Sequence, residues 1–375
     1  TGGTDASGQC TVVITWSVTG VFTANAEITL TVGGLTVVRS TSGDSGFEGT
    51  DSATKEYADA SLTLEPPVAT NEVGETHTFT AKLIVNGAPK SGEEITFSLS
   101  GVGSFEPAGG DTCTTESDGE CEVQIVSTVP GTTTVEASWA GQVDTVEFDL
   151  SDSSVKTWVK ARLEVTPETD ENEVRDDHVF TTHLEFDYGD GNGYVDAPDG
   201  KLITFTVSSG PGTLSPETCT TTGGDGRCTV TLTSDEAGET TVSAEWDGTI
   251  TAAGDTATAS ASDTAEKTWV DAQIDLDPLE ATNEVDDEHT ITAIVQVDDG
   301  TGWDDAPDGT VVTFTLPSGG ASFVGGVYTC TTSGGQCSVQ INSASAGVVE
   351  IHGETDVLVG GLELYRETDG ENDNS

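Results

Sequence analysis

Cysteines are the residues whose type and spacing most directly indicate chemistry in this chain of 375 residues. Six of the seven form pairs across short turns rich in Thr, Gly, Ser and Asp: Cys113 with Cys121, Cys219 with Cys228, and Cys330 with Cys337. Strands flanking such a turn would bring the Cα atoms within the roughly 4.4–6.8 Å that a disulfide requires. Zinc sites and free thiols are the alternatives, but each pair offers only two of the four ligands of a structural zinc. Disulfides throughout the chain predict an oxidising, extracytoplasmic setting.

Two acidic insertions carry oxygen ligands that could hold a cation. The candidates are Asp187, Asp190, Asn192, Asp196 and Asp199 in the first insertion, and Asp298, Asp299, Asp304, Asp305 and Asp308 in the second. The first insertion fails the EF-hand template because Tyr194 occupies the fifth position and no bidentate Glu follows. The alternatives are a loose Ca²⁺ loop and a solvated acidic hairpin, and the acidic linkers between repeats are a second candidate for Ca²⁺. No other cofactor is predicted.

Histidines recur at one repeated position, His77, His178 and His289, each at the start of an alternating run. A core or rim histidine is the interpretation that this parity favours, and one histidine per repeat cannot form a shared metal site. The sequence suggests no Ser–His–Asp or Cys–His arrangement. It therefore predicts no catalytic residue and no enzyme.

The elements that must position these side chains are repeated β-strands. The motif Asn-Glu-Val recurs at residues 71, 172 and 283, and each copy is followed by a run of alternating apolar and polar residues. Period-2 alternation with β-branched residues is typical of half-buried strands. Many short strands separated by Gly, Pro and Asp turns predict an all-β fold of tandem immunoglobulin-like β-sandwiches in an elongated array.

The repeats place domain boundaries at 1–54, 55–155, 156–266 and 267–375, where a motif beginning with Lys recurs at Lys55, Lys156 and Lys267. Tyr57, Trp158 and Trp269 hold equivalent places in that motif, as packing residues or, alternatively, as ligand-stacking aromatics. Residues 1–54 match only the second half of a repeat. The partner of Cys10 is then expected before Thr1, so that truncation would leave Cys10 unpaired. Both ends of the chain look like cuts through a longer array.

Several of these motifs together resemble the bacterial Ig-like domains of group 1, the Big-1 repeats of invasin- and intimin-type surface proteins. The residues that carry the resemblance are NEVGETHTFTAKL, GAPKSGEEITFSL, TTESDGECEVQI and VPGTTTVEA, which begin at Asn71, Gly87, Thr114 and Val129. The resemblance implies stalk or spacer repeats of a cell-surface protein. A receptor-binding tip of the invasin type is not visible in the sequence.

Charge excludes some partners. With 66 acidic residues against 12 Lys and Arg, the formal net charge is −54. Such a surface repels phosphate backbones and anionic lipids, so neither nucleic acid nor a membrane is expected as a partner. Work at high salt and bridging by divalent cations are the two explanations for this acidity.

The sequence thus predicts a non-catalytic stalk or spacer of an extracellular or cell-surface adhesin-like protein. Its expected partners are neighbouring Ig-like repeats and a surface glycan or protein. The alternatives are a glycan- or protein-binding module or filament subunit that uses acidic hairpins and exposed aromatics, and an accessory region of a secreted hydrolase.

Overall fold

A computed structural model describes residues 3–42 and 52–368, and over these residues the chain consists of β-strands, loops and one short 3₁₀ helix. The chain divides into two compact units. The first comprises Thr1–Val159, Tyr188–Gly191 and Ile250–Ala257, and the second comprises Lys160–Asp187, Asn192–Thr249 and Thr258–Ser375. No helix among the described residues has the length and hydropathy needed to cross a membrane.

Most of the first fourteen strands are short, as the frequent turn residues predicted, but β13 has 13 residues and β14 has 21. They are β1 (Gly20–Ala24), β2 (Glu27–Val32), β3 (Leu35–Ser40), β4 (Ala53–Tyr57), β5 (Ala60–Glu65), β6 (Val68–Glu72), β7 (Thr76–Val85), β8 (Ala88–Pro89), β9 (Glu94–Gly101), β10 (Ser104–Phe105), β11 (Thr112–Thr114), β12 (Glu120–Val126), β13 (Gly131–Val143) and β14 (Val146–Thr166). Ahead of β5, β1 pairs with β4 and β2 pairs with β3, both antiparallel.

The first unit contains a two-layer sandwich. One sheet has the order β10-β12-β7-β5, and the other has the order β11-β9-β13-β14, with β6 alongside β14. Because successive side chains of a strand point to opposite faces, the alternation of β7 buries Phe79, Ala81 and Leu83. These side chains share one core with Val123 and Ile125 of β12.

Over the described residues, the remaining strands repeat this succession, except that the last copy has no counterpart of β6. They are β15 (Thr169–Glu173), β16 (His178–Asp187), β17 (Tyr194–Asp196), β18 (Leu202–Ser209), β19 (Thr213–Ser215), β20 (Thr218–Thr220), β21 (Arg227–Thr233), β22 (Gly238–Ala252), β23 (Asp255–Asp277), β24 (His289–Asp298), β25 (Trp303–Asp305), β26 (Val311–Ser318), β27 (Ala321–Phe323), β28 (Thr329–Thr331), β29 (Gln336–Ser343), β30 (Glu350–Val359) and β31 (Leu362–Glu367). The 3₁₀ helix is Val324–Gly326.

The second unit contains two further pairs of sheets. The first pair has the orders β14-β16-β21-β19 and β20-β18-β22-β23, in which residues 160–166 of β14 pair with β16. The second pair has the orders β23-β24-β29-β27 and β28-β26-β30-β31. The predicted all-β class and the repeated sandwich are therefore confirmed. The domain boundaries at 54/55, 155/156 and 266/267 remain a prediction.

Two parallel strand pairs stand out among the antiparallel ladders. β6 runs parallel to β14, with Asn71 opposite Trp158, and β15 runs parallel to β23, with Asn172 opposite Trp269. The register is the same in both pairs, so the Asn of the Asn-Glu-Val motif lies opposite the Trp of the Lys-Thr-Trp motif each time.

Candidate functional site

Each predicted cysteine pair is joined by a disulfide that connects two different sheets. Cys113 lies on β11 and Cys121 on β12, which belong to the two opposed layers of the first-unit sandwich, and their Cα atoms are 5.8 Å apart. The other two bridges, Cys219–Cys228 and Cys330–Cys337, link the corresponding strands β20 to β21 and β28 to β29. Cys10 is a free, exposed thiol. The disulfides thus tie the two layers of each sandwich together near the turn that connects them.

The predicted calcium ligands do not gather around one point. Within the described ranges, three ligand atoms of His, Cys, Asp or Glu lie within 4.8 Å of one another only at His183, Glu185 and Asp196. Of the predicted candidates this group includes Asp196 alone. Calcium binding by the acidic insertions therefore stays a prediction.

Several of the candidate carboxylates accept backbone hydrogen bonds within their own loops. Asp298 Oδ1 accepts from the amides of Gly300 at 2.9 Å and Gly302 at 3.0 Å. Asp299 Oδ1 accepts hydrogen bonds from the amide and the hydroxyl of Thr301. Both bonds lower the pKa of Asp299, and the bond from the hydroxyl has the larger effect. These acids shape the hairpin whether or not a cation binds.

Two more candidates connect the insertions to the disulfide turns. Asp199 Oδ1 accepts from the amide of Gly224 at 2.8 Å, and Asp308 Oδ1 accepts from the amide of Gly334 at 2.7 Å. The remaining candidates lie elsewhere in the same loops: Asp187 is buried at the end of β16, Asp190 and Asn192 lie in the following turn, and Asp304 and Asp305 lie exposed on β25.

The tip of the first insertion packs against the parallel strand pair of the first unit. Gly189 has a φ of +71°, and a Cβ built on it would lie 2.5 Å from the carbonyl oxygen of Trp158 and 3.0 Å from that of Gly131. Only glycine fits such a close approach at positive φ. In the second insertion, Gly300 makes the corresponding approach to Gly238 and to the Thr268 methyl group, at 3.4 Å. Each insertion therefore covers a Lys-Thr-Trp segment.

A charged network occupies the outer face of β16. His183 Nε2 lies 2.7 Å from Asp196 Oδ1, and Arg162 donates hydrogen bonds to Glu185 Oε2 from both its Nε and its Nη2. Arg227 Nη2 lies 3.2 Å from His183 Nδ1. Because a guanidinium can only donate, Nδ1 must accept, which leaves Nε2 to carry the proton and donate to Asp196.

This network is satisfied by its own members. The hydrogen bond to Glu185 is the main cause that raises the pKa of Arg162, and its guanidinium also lies 4.4 Å from the ring centroid of Tyr194. A metal ion would have to displace both arginines from the carboxylate and the imidazole. The repeat pattern did not single out His183, because the other repeats have Lys82 and Ile294 at this position.

The most consistent arrangement is a buried lysine beside an asparagine, which we call the Asn71 cluster: Asn71, Glu75, His77, Lys156 and Trp158. Lys156 is completely buried, and its Nζ donates to Asn71 Oδ1 while lying 5.1 Å from the centroid of the Trp158 ring. Asn71 Nδ2 donates to Glu75 Oε2 at 2.9 Å. The indole Nε1 of Trp158 donates to Thr133 Oγ1 at 2.9 Å.

The second unit repeats this arrangement in what we call the Asn172 cluster: Asp170, Asn172, His178, Lys267 and Trp269. Lys267 is also completely buried, donates to Asn172 Oδ1, and lies 5.5 Å from the centroid of the Trp269 ring. Asp170 Oδ2 is 3.6 Å from Lys267 Nζ and 3.2 Å from His178 Nδ1.

Burial controls the protonation of both clusters. It lowers the pKa of Lys156 from 10.5 to about 8, although the Asp255 and Glu75 carboxylates act in the opposite direction. It also lowers the pKa of Lys267, where the Asp170 carboxylate opposes it. Burial together with the neighbouring ammonium lowers the pKa of His77 to about 4 and that of His178 in the same direction. His77 and His178 are therefore neutral at pH 7.

Burial distinguishes packing residues from ligand-stacking residues among the tryptophans. Trp158 and Trp269 are fully buried and pack within the clusters, so they are unavailable for stacking on a ligand, whereas Trp303 is 44% exposed. The lysines, which the sequence analysis used only to mark boundaries, form the centres of the clusters. The signal that could have identified them was their recurrence at a fixed distance from each tryptophan.

Residues 181–261 match the family model of the bacterial Ig-like domain (group 1). This part of the chain is a group 1 bacterial Ig-like domain. The family predicted from the repeated motifs is thereby confirmed for residues 181–261. These residues include His183, the disulfide between Cys219 and Cys228, and strands β17 to β22.

Several solved structures are similar to this chain. The D0–D1 domain of intimin is 22% identical, with 56% of this chain and 100% of that chain covered and a TM-score of 0.21. Invasin, a bacterial integrin-binding protein, is 16% identical, with coverages of 83% and 59% and a TM-score of 0.26. FdeC, an Escherichia coli adhesin, is 19% identical, with coverages of 82% and 95% and a TM-score of 0.25. No curated protein matches the chain.

Proposed function

We propose that this chain is a non-catalytic structural segment of an extracellular adhesin-like protein, a stalk that projects binding parts located elsewhere. The observation that carries the proposal is the recurrence of the Asn71 and Asn172 clusters. Each joins the Asn-Glu-Val strand of one repeat to the first residues of the next by a parallel ladder and a buried lysine. Because the same junction occurs twice within one chain, it favours a mechanical role over a catalytic one.

The disulfides support the same role. Each bridges the two sheets of a sandwich near one edge. Without the bridge, only the short turn between the two cysteines would connect the sheets there. A cross-link of this kind stabilises mainly by restricting the unfolded chain. Such bonds persist in oxidising compartments, which supports an extracellular or cell-surface location.

The charge distribution supports a role in solvent rather than at a lipid or nucleic-acid surface. A net charge of −54 keeps the chain soluble and repels polyanions. The remaining partners are neighbouring repeats of the same kind and a surface protein or glycan that contacts the projected parts.

A display experiment tests the proposal. The chain is placed between a bacterial surface anchor and a terminal epitope, and its control is a Gly/Ser linker with the same number of residues, which behaves as a flexible coil. We expect the epitope to stand farther from the cell surface on this chain than on the linker, as measured by super-resolution distance to the membrane. An equal distance for the two would contradict the stalk.

A second function is favoured by one residue. Trp303 is 44% exposed on β25, where Asp305 lies on the same face of the strand. An exposed indole beside a hydrogen-bonding carboxylate suits the apolar face and hydroxyl groups of a sugar. A glycan array comparing the wild type with Trp303→Ala tests this: binding lost in the variant supports it, and no binding by the wild type rejects it.

A further inference from the structure

The Asn71 and Asn172 clusters each bring a lysine amine against a side-chain carboxamide inside the protein. In both, the lysine is completely buried and donates to the asparagine Oδ1, and an aromatic ring covers the pair. We propose that Lys156 and Asn71, and likewise Lys267 and Asn172, become joined by isopeptide bonds from the lysine Nζ to the asparagine Cγ. The proposal does not depend on what the chain displays.

The arrangement holds the reacting atoms together. Because the accepting Oδ1 is bonded to Cγ, a lysine that donates to it lies next to the carbon that it would attack. The parallel register fixes this approach, since Asn71 faces Trp158 and Lys156 lies two residues before that tryptophan. Holding two groups in an attack geometry replaces a bimolecular encounter by an intramolecular one and thereby lowers the barrier.

The bond requires a neutral amine, and burial supplies it. With the pKa of Lys156 lowered to about 8, roughly one amine in ten is neutral at pH 7. A lysine desolvated in this way is an activated nucleophile. The resulting amide also replaces a buried ammonium by a neutral group, which removes the cost of keeping a charge away from water.

The reaction balances without any cofactor or oxidant. The lone pair of Nζ forms a bond to Cγ, the bond from Cγ to Nδ2 breaks, and Nδ2 leaves as ammonia after receiving one proton from the attacking amine. A carboxylate is placed to carry that proton in each cluster. Glu75 Oε2 is 2.9 Å from the departing Nδ2 of Asn71, and Asp170 Oδ2 is 3.6 Å from Nζ of Lys267.

Other lysines lack this environment. Lys82 is partly exposed, and its Nζ is 2.8 Å from the carboxylate of Glu120, which is not an electrophile for an amine. No bond is expected there, so Lys82 serves as the matched control within the same sandwich.

Such bonds would change how the chain responds to force. A link between positions 71 and 156 closes a covalent ring spanning a sequence separation of 85 residues, which contains most of the first-unit core. At about 3.5 Å per residue, roughly 300 Å of extension would become inaccessible on pulling. The Lys267–Asn172 link would shield its own segment in the same way.

Intact-mass spectrometry of the denatured, reduced protein tests the proposal. We expect a mass lower than that of the sequence by one ammonia for each bond, and proteolysis should yield a branched peptide that pairs the Lys156 segment with the Asn71 segment. The Asn-Gly steps at Asn86 and Asn192 can also lose ammonia as cyclic imides, so the branched peptide rather than the mass alone decides.

Variants assign the bonds. Lys156→Met should remove the mass deficit of one ammonia and the branched peptide of the first bond. Lys267→Met should do the same for the second bond, and Lys82→Met should leave both bonds unchanged. Asn71→Asp should lose water instead of ammonia at the same linkage. If a variant fails to fold, the wild-type peptide map still decides. A folded wild-type protein whose map contains Lys156 and Lys267 only in unbranched peptides would overturn the proposal.

Discussion

Trp158 donates its indole N–H to Thr133 Oγ1 over 2.9 Å at a site where both side chains are completely buried. The same threonine oxygen donates to the carbonyl of Val102, so one hydroxyl satisfies two buried groups. Trp269 and Thr240 repeat the pair at 3.1 Å, with the carbonyl of Pro211 as the acceptor. A single hydroxyl therefore connects the Lys-Thr-Trp strand to the loop between β9 and β10, and its counterpart in the next repeat does likewise.

Replacing Thr133 with valine should destabilise the first-unit sandwich. The substitution preserves the shape of the side chain but leaves the indole N–H and the carbonyl of Val102 without their partner, at a cost of about 1–3 kcal/mol for each buried group. Hydrogen exchange of the β13 and β14 amides measures the change. Thr132→Val, on the exposed face of the same strand, is the control and should stay close to wild type. Equal protection in the two variants would show that the hydroxyl does not hold the junction.

His77 should make stability depend on pH. In the unfolded chain its pKa returns to about 6.5, whereas burial and Lys156 hold the pKa at about 4 in the folded state and Asp255 partly opposes them. Between these values the unfolded state binds more protons, so the free energy of unfolding falls as the pH drops from about 6.5 to 4, by up to about 2–3 kcal/mol. Above pH 6.5 this dependence disappears.

The His77→Gln variant isolates that contribution from the titration of the carboxylates. Its urea midpoint should fall less steeply than that of the wild type between pH 6.5 and 4. His352→Gln, at a histidine outside both clusters, should follow the wild-type profile. Parallel profiles for wild type and His77→Gln would contradict the assignment of a half-buried, neutral His77.

The bridge between Cys113 and Cys121 should stabilise its sandwich by about 2–3 kcal/mol, the value expected for a short loop in the chain-entropy model. The double variant Cys113→Ala/Cys121→Ala should lose that amount in urea unfolding monitored by hydrogen exchange of β7 and β12. Cys10→Ser removes an exposed free thiol instead and should leave these amides unchanged. A double variant as stable as the wild type would remove the structural role of this disulfide.

Gly189→Ala should loosen the first acidic insertion from the Trp158 backbone. The new Cβ would lie 2.5 Å from the Trp158 carbonyl oxygen, which is a steric clash. The φ of +71° adds backbone strain of about 1–3 kcal/mol for a residue with a Cβ. Gly191→Ala is the matched control, because it has a φ of +84° but nothing within 4 Å of a built Cβ. Faster amide exchange at Trp158 in Gly189→Ala alone is expected, and equal exchange in both variants would contradict this contact.

Local patterning was sufficient to predict the strands and the cysteine pairs. The alternation around Phe79 predicted a buried face, and the short separation of Cys113 from Cys121 predicted their link, because both depend on neighbours close in sequence. Lys156 was not predicted as a buried group. Lysine is ordinarily exposed, and its partner Asn71 is 85 residues away, in a parallel register that no local pattern encodes. The network around His183 was missed for the same reason, since Arg162, Asp196 and Arg227 reach it from three other strands.

Pulling single molecules by their two ends tests most directly whether these repeats form a stalk that resists mechanical force. We expect discrete rupture events from folded repeats, separated by fixed increments of contour length that leave out the residues enclosed by each Lys–Asn bond. Smooth extension like that of a flexible coil, without rupture peaks, would contradict this expectation.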